Sequence, residues 1–244
     1  MSESDAQLAA RLANEAGALL LELQRSGVAE GKELGNLGDI RANTLLIEAL
    51  LTERPNDAIL SEEENDNAAR LNHQRVWIID PLDGTREYSE GRSDWAVHVA
   101  LSIGGVAMIG AVALPGLGIT LRSDAPLALK PANQPLRMVI SRSRPAAEAL
   151  SIAEALGAEL IPMGSAGAKA MAVVRGEADI YLHTGGQYEW DNCAPIAVAQ
   201  AAGLHCSRVD GTPMKYNNKD TYLPDLLICR KELLVDVMTA LSTV

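Results

Sequence analysis

The segment from Asp80 to Thr85 reads Asp-Pro-Leu-Asp-Gly-Thr and carries the residue types that most clearly suggest chemistry. The apolar run 76–79 predicts a buried strand, and we expect it to end at Asp80 because Pro81 cannot donate a hydrogen bond to a sheet. Two carboxylates at a buried strand end repel each other unless a cation neutralises them. Because carboxylates, carbonyls and hydroxyls are the ligands that magnesium prefers, the segment predicts a divalent-metal site.

Two other carboxylate motifs do not fit this spacing. Phosphatases of the haloacid dehalogenase type need Asp-x-Asp, which places both carboxylates on one side of a strand end, whereas Asp80 and Asp83 are one residue further apart. An EF-hand loop needs alternating oxygen ligands and a glutamate at its twelfth position, and Pro81 and Leu82 occupy the wrong places. Both motifs are therefore excluded.

Other carboxylates lie next to predicted elements elsewhere in the chain. Glu62 begins an acidic run directly after a predicted strand, 58–61, where a solvated loop is the alternative interpretation. Asp39 and Asp191 each precede a predicted helix, so each could be a helix N-cap or could face the metal site. Spacing alone leaves both alternatives open.

Two segments could bind phosphate. Residues 141–144 read Ser-Arg-Ser-Arg after a predicted strand and could present hydroxyl and guanidinium groups, although a solvated turn has the same composition. Gly164 and Ser165 open a predicted helix, whose N-terminus favours phosphate, and Lys169 follows one turn later. A nucleoside bisphosphate would use both segments, whereas a sugar monophosphate would use only one.

Composition limits the partners and the compartment. The chain has 244 residues, 48% of them hydrophobic, and a formal net charge of −11, which argues against a nucleic-acid polymer as partner. An acidic protein can still bind a small phosphorylated ligand if bound cations reverse the local field. No apolar run reaches membrane length, so we expect no membrane association. We expect the cysteines to be reduced thiols in a cytoplasmic protein; they are Cys193, Cys206 and Cys229.

Hydrophobic spacing predicts the elements of the first half. A first helix capped by Ser4 or Asp5 is expected to end near Gly27, and Gly104-Gly105 is typical of a hairpin turn. His98 is out of phase with the apolar residues of its strand, and we interpret it as an ordinary strand residue rather than a ligand. The other predictions are loops over 31–38 and 86–94, a helix from Asp39 to before Pro55, and antiparallel strands over 95–103, 106–114 and 117–122.

In the second half, strands and helices alternate after a proline-containing junction, residues 124–135, which predicts α/β layering. We therefore expect two subdomains, residues 1–130 and residues 131–244, with the second completing the site. The predicted strands are 136–140, 158–162, 178–182 and 226–229, and the predicted helices are 145–156, 166–175, 192–202 and 232–241.

Four segments taken together resemble the inositol monophosphatase-like family of magnesium-dependent, lithium-sensitive phosphatases. They are Leu-Ser-Glu-Glu at 60–63, the segment 80–85, Gly-Ser-x-x-x-Lys at 164–169 and Glu-Trp-Asp at 189–191. Within that family the chain is most similar to the 3′(2′),5′-bisphosphate nucleotidases of the CysQ type. The resemblance implies an α+β fold, a layered αβαβα sandwich with an antiparallel sheet in the N-terminal half and mixed α/β structure in the C-terminal half.

The resemblance also implies a role for each matching residue of the metal site. Glu62, Asp80 and the Leu82 carbonyl would hold one Mg²⁺, and Asp80, Asp83 and Asp191 would hold a second. Relatives tend to carry a Pro-Val-Thr type of sequence before the position of Asp39, where this chain reads Gly-Asn-Leu-Gly. Because of this departure, the expected number of magnesium ions is two or three.

Catalysis and substrate binding are implied in the same way. Glu62 and Thr85 would position and deprotonate a water molecule, and Asp39 would orient the Thr85 hydroxyl. The backbone amides of Gly84 and Thr85 would cradle the scissile phosphate. The expected substrate contacts are Gly84, Thr85, Ser141, Arg142, Ser143, Gly164, Ser165, Lys169 and Glu189.

The expected function is magnesium-dependent hydrolysis of adenosine 3′,5′-bisphosphate to AMP by a metal-activated water, within sulfur assimilation. 3′-Phosphoadenylyl sulfate is a possible second substrate. The alternatives are inositol monophosphatase or fructose-1,6-bisphosphatase activity in the same fold, and a non-catalytic sensor of metals or phosphometabolites. The intact set of candidate ligands disfavours the sensor. The expected partner is a small phosphorylated metabolite, and the resemblance suggests a homodimer.

Overall fold

Five layers of secondary structure alternate between helices and sheets in the computed structural model, which describes residues 3–243. The helices are α1 (Asp5–Ser26), α2 (Gly31–Glu53), α3 (Thr85–Ser89), α4 (Ala147–Leu156), α5 (Ala166–Val174), α6 (Glu189–Ala201) and α7 (Leu234–Leu241). The strands are β1 (Ala58–Ser61), β2 (Arg75–Asp83), β3 (Ala96–Ile103), β4 (Val106–Leu114), β5 (Ile119–Arg122), β6 (Arg137–Ser141), β7 (Glu159–Met163), β8 (Ile180–His183), β9 (Gln187–Tyr188), β10 (His205–Ser207), β11 (Tyr222–Leu223) and β12 (Leu226–Cys229).

The first sheet has the strand order β1-β2-β3-β4-β5, and only the β1–β2 pair is parallel. Side chains alternate between its two faces because successive residues of a strand point in opposite directions. On β2, Trp77 and Ile79 pack against α1 and α2, whereas Val76 and Ile78 pack against α5 and α6. The sheet is therefore covered by helices on both faces.

The second sheet has the order β10-β12-β8-β6-β7, with the parallel strands β8, β6 and β7 at one side. Val139 and Tyr181 face α5 and α6, while Met138 and Ile180 face α4 and α7. The helices α5 and α6 thus form the middle layer between the two sheets. This arrangement confirms the predicted αβαβα sandwich, and it places α5 and α6 of residues 131–244 in one shared core with strands of residues 1–130.

Three local predictions are wrong. Helix α2 begins at Gly31 rather than near Asp39. Its glycines Gly35 and Gly38 are buried in the helix and allow close packing against neighbouring side chains, since a Cβ on Gly38 would lie 3.0 Å from a Tyr88 ring carbon. Residues 86–94, predicted as a loop, begin within α3, where Tyr88 is fully buried. Strand β2 continues through the proline to Asp83, with a register shift against β3 after Asp80 that accommodates the missing amide.

Other local predictions are correct. Ser4 caps α1, Gly27 ends it in a left-handed conformation, and Gly104 and Gly105 connect β3 to β4. Within residues 3–243, no helix has the length and apolarity needed to cross a membrane.

The packing of β4 against α6 makes one prediction for stability. A Cβ on buried Gly110 would lie 2.5 Å from the Ala194 carbonyl oxygen and 2.9 Å from the Ala197 Cβ. We expect Gly110→Ala to lower the free energy of unfolding by about 1–3 kcal/mol, measured by urea denaturation, because overpacking forces the two elements apart. Met108→Ala, at a half-exposed position of the same strand, is the control. Equal stability of the two variants would contradict this packing.

Candidate active site

Asp80 and Asp83 lie at the carboxyl end of β2 and are almost fully buried, with exposures of 1% and 6%. One Asp80 oxygen accepts a hydrogen bond from the Leu82 amide at 3.1 Å. Asp83 accepts from the Ala166 amide at 3.1 Å and the Gly167 amide at 2.6 Å, at the N-terminus of α5. The helix dipole favours a negative charge at this position, so α5 holds Asp83 in place.

Asp191 completes the acidic cluster from the other half of the chain. It is the third residue of α6, and its carboxylate accepts from the Tyr188 amide at 2.6 Å in a capping box. The N-cap is Tyr188, so the alternative that Asp191 is the N-cap is not correct. Asp80, Asp83 and Asp191 each place one carboxylate oxygen within 4.8 Å of the others.

Crowding of these carboxylates changes their pKa values. Burial, followed by the charges of Glu62 and Asp83, raises the pKa of Asp80 well above its usual value. Burial and the Asp83 charge raise the pKa of Asp191 to about 6. Although burial opposes it, the His98 ring keeps the pKa of Asp83 below its usual value. The cluster thus carries negative charge that nearby cationic groups do not fully compensate. Its hard oxygen donors fit a divalent cation such as Mg²⁺.

Glu62 and Thr85 flank the same site. Glu62 lines the cavity beside the cluster, and removal from water together with the Asp191 charge raises the pKa of Glu62 to about 8. The Thr85 hydroxyl lies 3.1 Å from the Leu82 carbonyl oxygen and 3.3 Å from an Asp39 oxygen. Since a hydroxyl has a single hydrogen, it donates to one of these acceptors at a time.

Asp39 lies in the interior of α2, so it cannot be the helix N-cap. Burial, followed by the charge of Glu63, raises the pKa of Asp39 to about 7, while the contact with Thr85 opposes this shift. Its carboxylate contacts the Thr85 hydroxyl at 3.3 Å, and a role for Asp39 in the site stays a prediction.

Gly84 connects β2 to α3 in a left-handed conformation with φ of 88°. A Cβ there would lie 2.9 Å from the Ser165 Cβ and 3.3 Å from the Trp95 Cβ. Glycine is therefore required both by the backbone angle and by the close approach of α5.

A cavity of about 710 Å³ opens beside the cluster. It contains Asp83 and Asp191 together with several cationic and aromatic side chains. The residues predicted to contact substrate that line it are Gly84, Thr85, Ser141, Ser143, Gly164, Ser165 and Lys169. Lys169 is only 4% exposed, and its ammonium group donates to the carbonyls of Gly164 and Ser165.

Two predicted substrate contacts do not line this cavity. Arg142 donates to Glu87 and Glu90, each at 2.8 Å, so its guanidinium is already paired with carboxylates of the N-terminal half. Glu189 is fully buried, and its carboxylate accepts from the backbone amides of Asn217 and Asn218, each at 2.7 Å. Glu189 therefore anchors a loop, and its placement does not support substrate contact.

Several cavity residues were missed. Arg144 lies in the loop 141–144 and Tyr188 directly precedes the Glu-Trp-Asp segment, and both line the cavity. Tyr222 follows a long irregular stretch and has no local signal; it comes near because β11 pairs with β9. His98 is also not an ordinary strand residue, since its Nε2 lies 3.1 Å from an Asp83 oxygen.

Comparisons with known proteins agree with this fold. The family model described as the inositol monophosphatase family matches residues 2–239, and the chain belongs to that family. A 3′-phosphoadenosine 5′-phosphate phosphatase of Mycobacterium leprae (strain TN) is 51% identical over 245 residues, covering 94% of this chain and 90% of the relative.

More distant relatives also belong to this group of phosphatases or share its fold. The 3′(2′),5′-bisphosphate nucleotidase CysQ of Escherichia coli (strain K12) is 32% identical over 198 residues, covering 76% of this chain and 80% of the relative. The crystal structure of CysQ from Bacteroides thetaiotaomicron, a member of the same family, superimposes with a TM-score of 0.77 at 24% identity, covering 94% of this chain and 98% of that one. This structural likeness supports the fold.

The cluster predicts how metal and stability are linked. We expect Asp80→Asn to leave the melting temperature in EDTA unchanged or higher, because it removes like-charge repulsion and keeps the oxygen that accepts from the Leu82 amide. In the wild type, Mg²⁺ at about 100 times its Kd should add about 2.7 kcal/mol of stability, and this gain should be lost in the variant. Thermal unfolding with and without Mg²⁺ measures both effects.

The control for that experiment is Asp225→Asn, which breaks an ion pair with Arg208. This variant should be less stable in both buffers and should keep the gain from Mg²⁺. If Asp80→Asn kept the wild-type gain, Asp80 would not be a metal ligand.

Proposed function

We propose that this protein is a magnesium-dependent phosphomonoesterase of the cytoplasm that hydrolyses adenosine 3′,5′-bisphosphate to AMP and phosphate. 3′-Phosphoadenylyl sulfate, which would give adenylyl sulfate, is a second candidate substrate, and both place the enzyme in sulfur metabolism. The observation that carries the proposal is that one cavity joins the acidic cluster to cationic and aromatic side chains. The relatives from Mycobacterium leprae and Escherichia coli, a 3′-phosphoadenosine 5′-phosphate phosphatase and a 3′(2′),5′-bisphosphate nucleotidase, support the same substrate class.

The acidic cluster would hold the metal ions. Asp80, Asp83 and Asp191 offer oxygens within 4.8 Å of one another, and Glu62 lines the adjoining cavity. Bound there, divalent cations would lower the pKa of a water molecule and stabilise the charge on the entering and leaving oxygens of an in-line displacement. The chain therefore needs no cysteine or histidine nucleophile.

The remaining residues would position the reactants. Thr85, with Asp39 and the Leu82 carbonyl as hydrogen-bond acceptors, offers a hydroxyl of defined orientation beside the cluster. Gly84 keeps the backbone next to the cavity free of a side chain, so that a phosphate can approach the amides. Lys169 adds a positive charge near the opening of α5.

A nucleotide fits the wall of this cavity better than inositol phosphate. Tyr188 stacks on Trp190 with ring centroids 4.9 Å apart, and Tyr222 meets Tyr188 edge to face at 5.9 Å. Tyr188 and Tyr222 both line the cavity, and aromatic rings offer stacking surfaces to a base. Arg144 lines the same cavity and could pair with a second phosphate. Inositol monophosphate has neither a base nor a second phosphate.

A substrate panel tests the proposal. Phosphate release from adenosine 3′,5′-bisphosphate, 3′-phosphoadenylyl sulfate, inositol 1-phosphate and fructose 1,6-bisphosphate should be measured with Mg²⁺, with and without lithium, and with EDTA. We expect kcat/KM for adenosine 3′,5′-bisphosphate to exceed that for inositol phosphate by at least about tenfold, roughly the effect of 1.4 kcal/mol.

Other outcomes of the panel would change the assignment. A preference for inositol phosphate or fructose bisphosphate would overturn the nucleotidase assignment within the same fold. Tight binding of the nucleotide without turnover would favour a non-catalytic sensor. Full activity in EDTA would contradict the metal site.

The loop 141–144 makes a separate prediction about specificity. We expect Arg144→Ala to raise the KM for adenosine 3′,5′-bisphosphate by about tenfold or more, because a hydrogen bond to a charged group contributes about 1.5–3 kcal/mol. The KM for adenosine 3′-monophosphate, which carries a single phosphate, should change less. Arg142→Ala is the matched control, since the Arg142 guanidinium is paired with Glu87 and Glu90. Equal effects of Arg144→Ala on both substrates would remove this arginine from specificity.

A further inference from the structure

His98 lies on β3 next to the acidic cluster and is completely buried, with an exposure of 0%. Its Nε2 atom lies 3.1 Å from Asp83 Oδ2, and its Nδ1 atom lies 3.0 Å from the Trp190 carbonyl oxygen. The first contact is close but does not have the geometry of a hydrogen bond within the described residues, and the same Asp83 oxygen accepts a hydrogen bond from the Gly167 amide. The ring therefore sits between the end of β2 and the start of α6.

The position of this ring connects two metal-binding elements that are distant in sequence. Asp83 comes from β2, whereas Trp190 directly precedes Asp191 at the start of α6. A rigid ring that contacts both sides sets the distance between them. The Ala166 amide of α5 holds Asp83 and the Tyr188 amide holds Asp191, but neither of these two hydrogen bonds joins the two carboxylates.

The neighbouring helix is shaped to accept the ring. A Cβ on Gly167 would lie 2.0 Å from His98 Nε2 and 3.0 Å from its Cε1. Glycine at this position of α5 is therefore the reason that His98 fits, and the same Gly167 donates its amide to Asp83. Two independent features, the glycine and the bridging contacts, thus converge on one side chain.

We propose that His98 is a positioning residue that keeps Asp83 and Asp191 at the spacing required to bind the metal. The proposal rests on the metal site of the proposed function, and it assigns His98 neither to the ligands nor to the substrate contacts. Removal of a group that contacts and orients a metal ligand typically lowers metal affinity or activity by about 10–100-fold. His98 would orient two metal ligands, Asp83 and Asp191, rather than one.

Variants at position 98 separate positioning from simple packing. His98→Leu removes both contacts, His98→Asn keeps a polar group near the Trp190 carbonyl, and His98→Gln keeps one near Asp83. Ser102→Ala is the matched control, because Ser102 lies on the same strand with an exposure of 1% and its hydroxyl has no hydrogen-bond partner in the described residues. Mg²⁺ affinity is measured by titration calorimetry without substrate, and folding is measured by thermal unfolding in EDTA.

We expect His98→Leu to weaken Mg²⁺ binding by about 10–100-fold and to lower kcat accordingly, while the KM for the nucleotide at saturating Mg²⁺ changes by less than about threefold. The asparagine and glutamine variants, which keep one contact each, should fall between the leucine variant and the wild type. Ser102→Ala should bind Mg²⁺ as the wild type does.

Gly167→Ala provides a second route to the same effect, because its Cβ would displace the His98 ring. It should weaken Mg²⁺ binding in the wild-type background. It should add less in a His98→Ala background, where the ring is gone and the Ala96 Cβ at 3.1 Å is the remaining near neighbour. Such non-additivity indicates a shared mechanism.

The outcomes distinguish the two proposals. If the wild type does not bind Mg²⁺, the metal site of the proposed function fails. If the wild type binds Mg²⁺ and the His98 variants bind it equally well, only the positioning role fails. If His98→Leu does not fold, the asparagine and glutamine variants decide: affinities equal to that of Ser102→Ala would overturn the role of His98.

Discussion

Electrostatic repulsion between buried carboxylates is the constraint on which the rest of this structure depends. Asp80, Asp83 and Asp191 have oxygens within 4.8 Å of one another, and burial raises the cost of each negative charge. The protein offsets part of that cost with backbone amides at the ends of two helices. The negative charge that remains unpaired makes the site suited to bind divalent cations, at a cost to the stability of the fold without metal.

The layered fold is what allows those amides to meet. Helices α5 and α6 form the middle layer. The N-terminus of α5 reaches Asp83 at the end of β2, and Asp191 at the start of α6 lies beside it. Gly84 and Gly167 permit this approach, because a Cβ on either would collide with a neighbouring side chain. The geometry of the acidic cluster and the packing of the core therefore depend on the same contacts between β2 and α5.

The substrate side of the cavity follows a different rule. Its cationic and aromatic groups come from loops and short strands, including the β9–β11 pair that brings Tyr222 to Tyr188. In the proposed function, such groups would select the phosphate ester, whereas the acidic cluster would hold the metal ions that act on it. This division explains how a common family fold can serve several phosphorylated metabolites.

The sequence by itself predicted a metal-binding segment and most of the strands. The Asp-Pro-Leu-Asp-Gly-Thr segment predicted a divalent-metal site, and alternating apolar residues predicted the strands, because both signals depend on short-range spacing. The addition of Glu62 and Asp191 to the site and the five-layer arrangement came from the family resemblance. Only the tertiary structure decided which nearby residues face the cavity: it pairs Arg142 with carboxylates, uses Glu189 to anchor a loop, and places His98 against Asp83. Those choices depend on side chains that are close in space but far apart in the chain, and local periodicity carries no information about them.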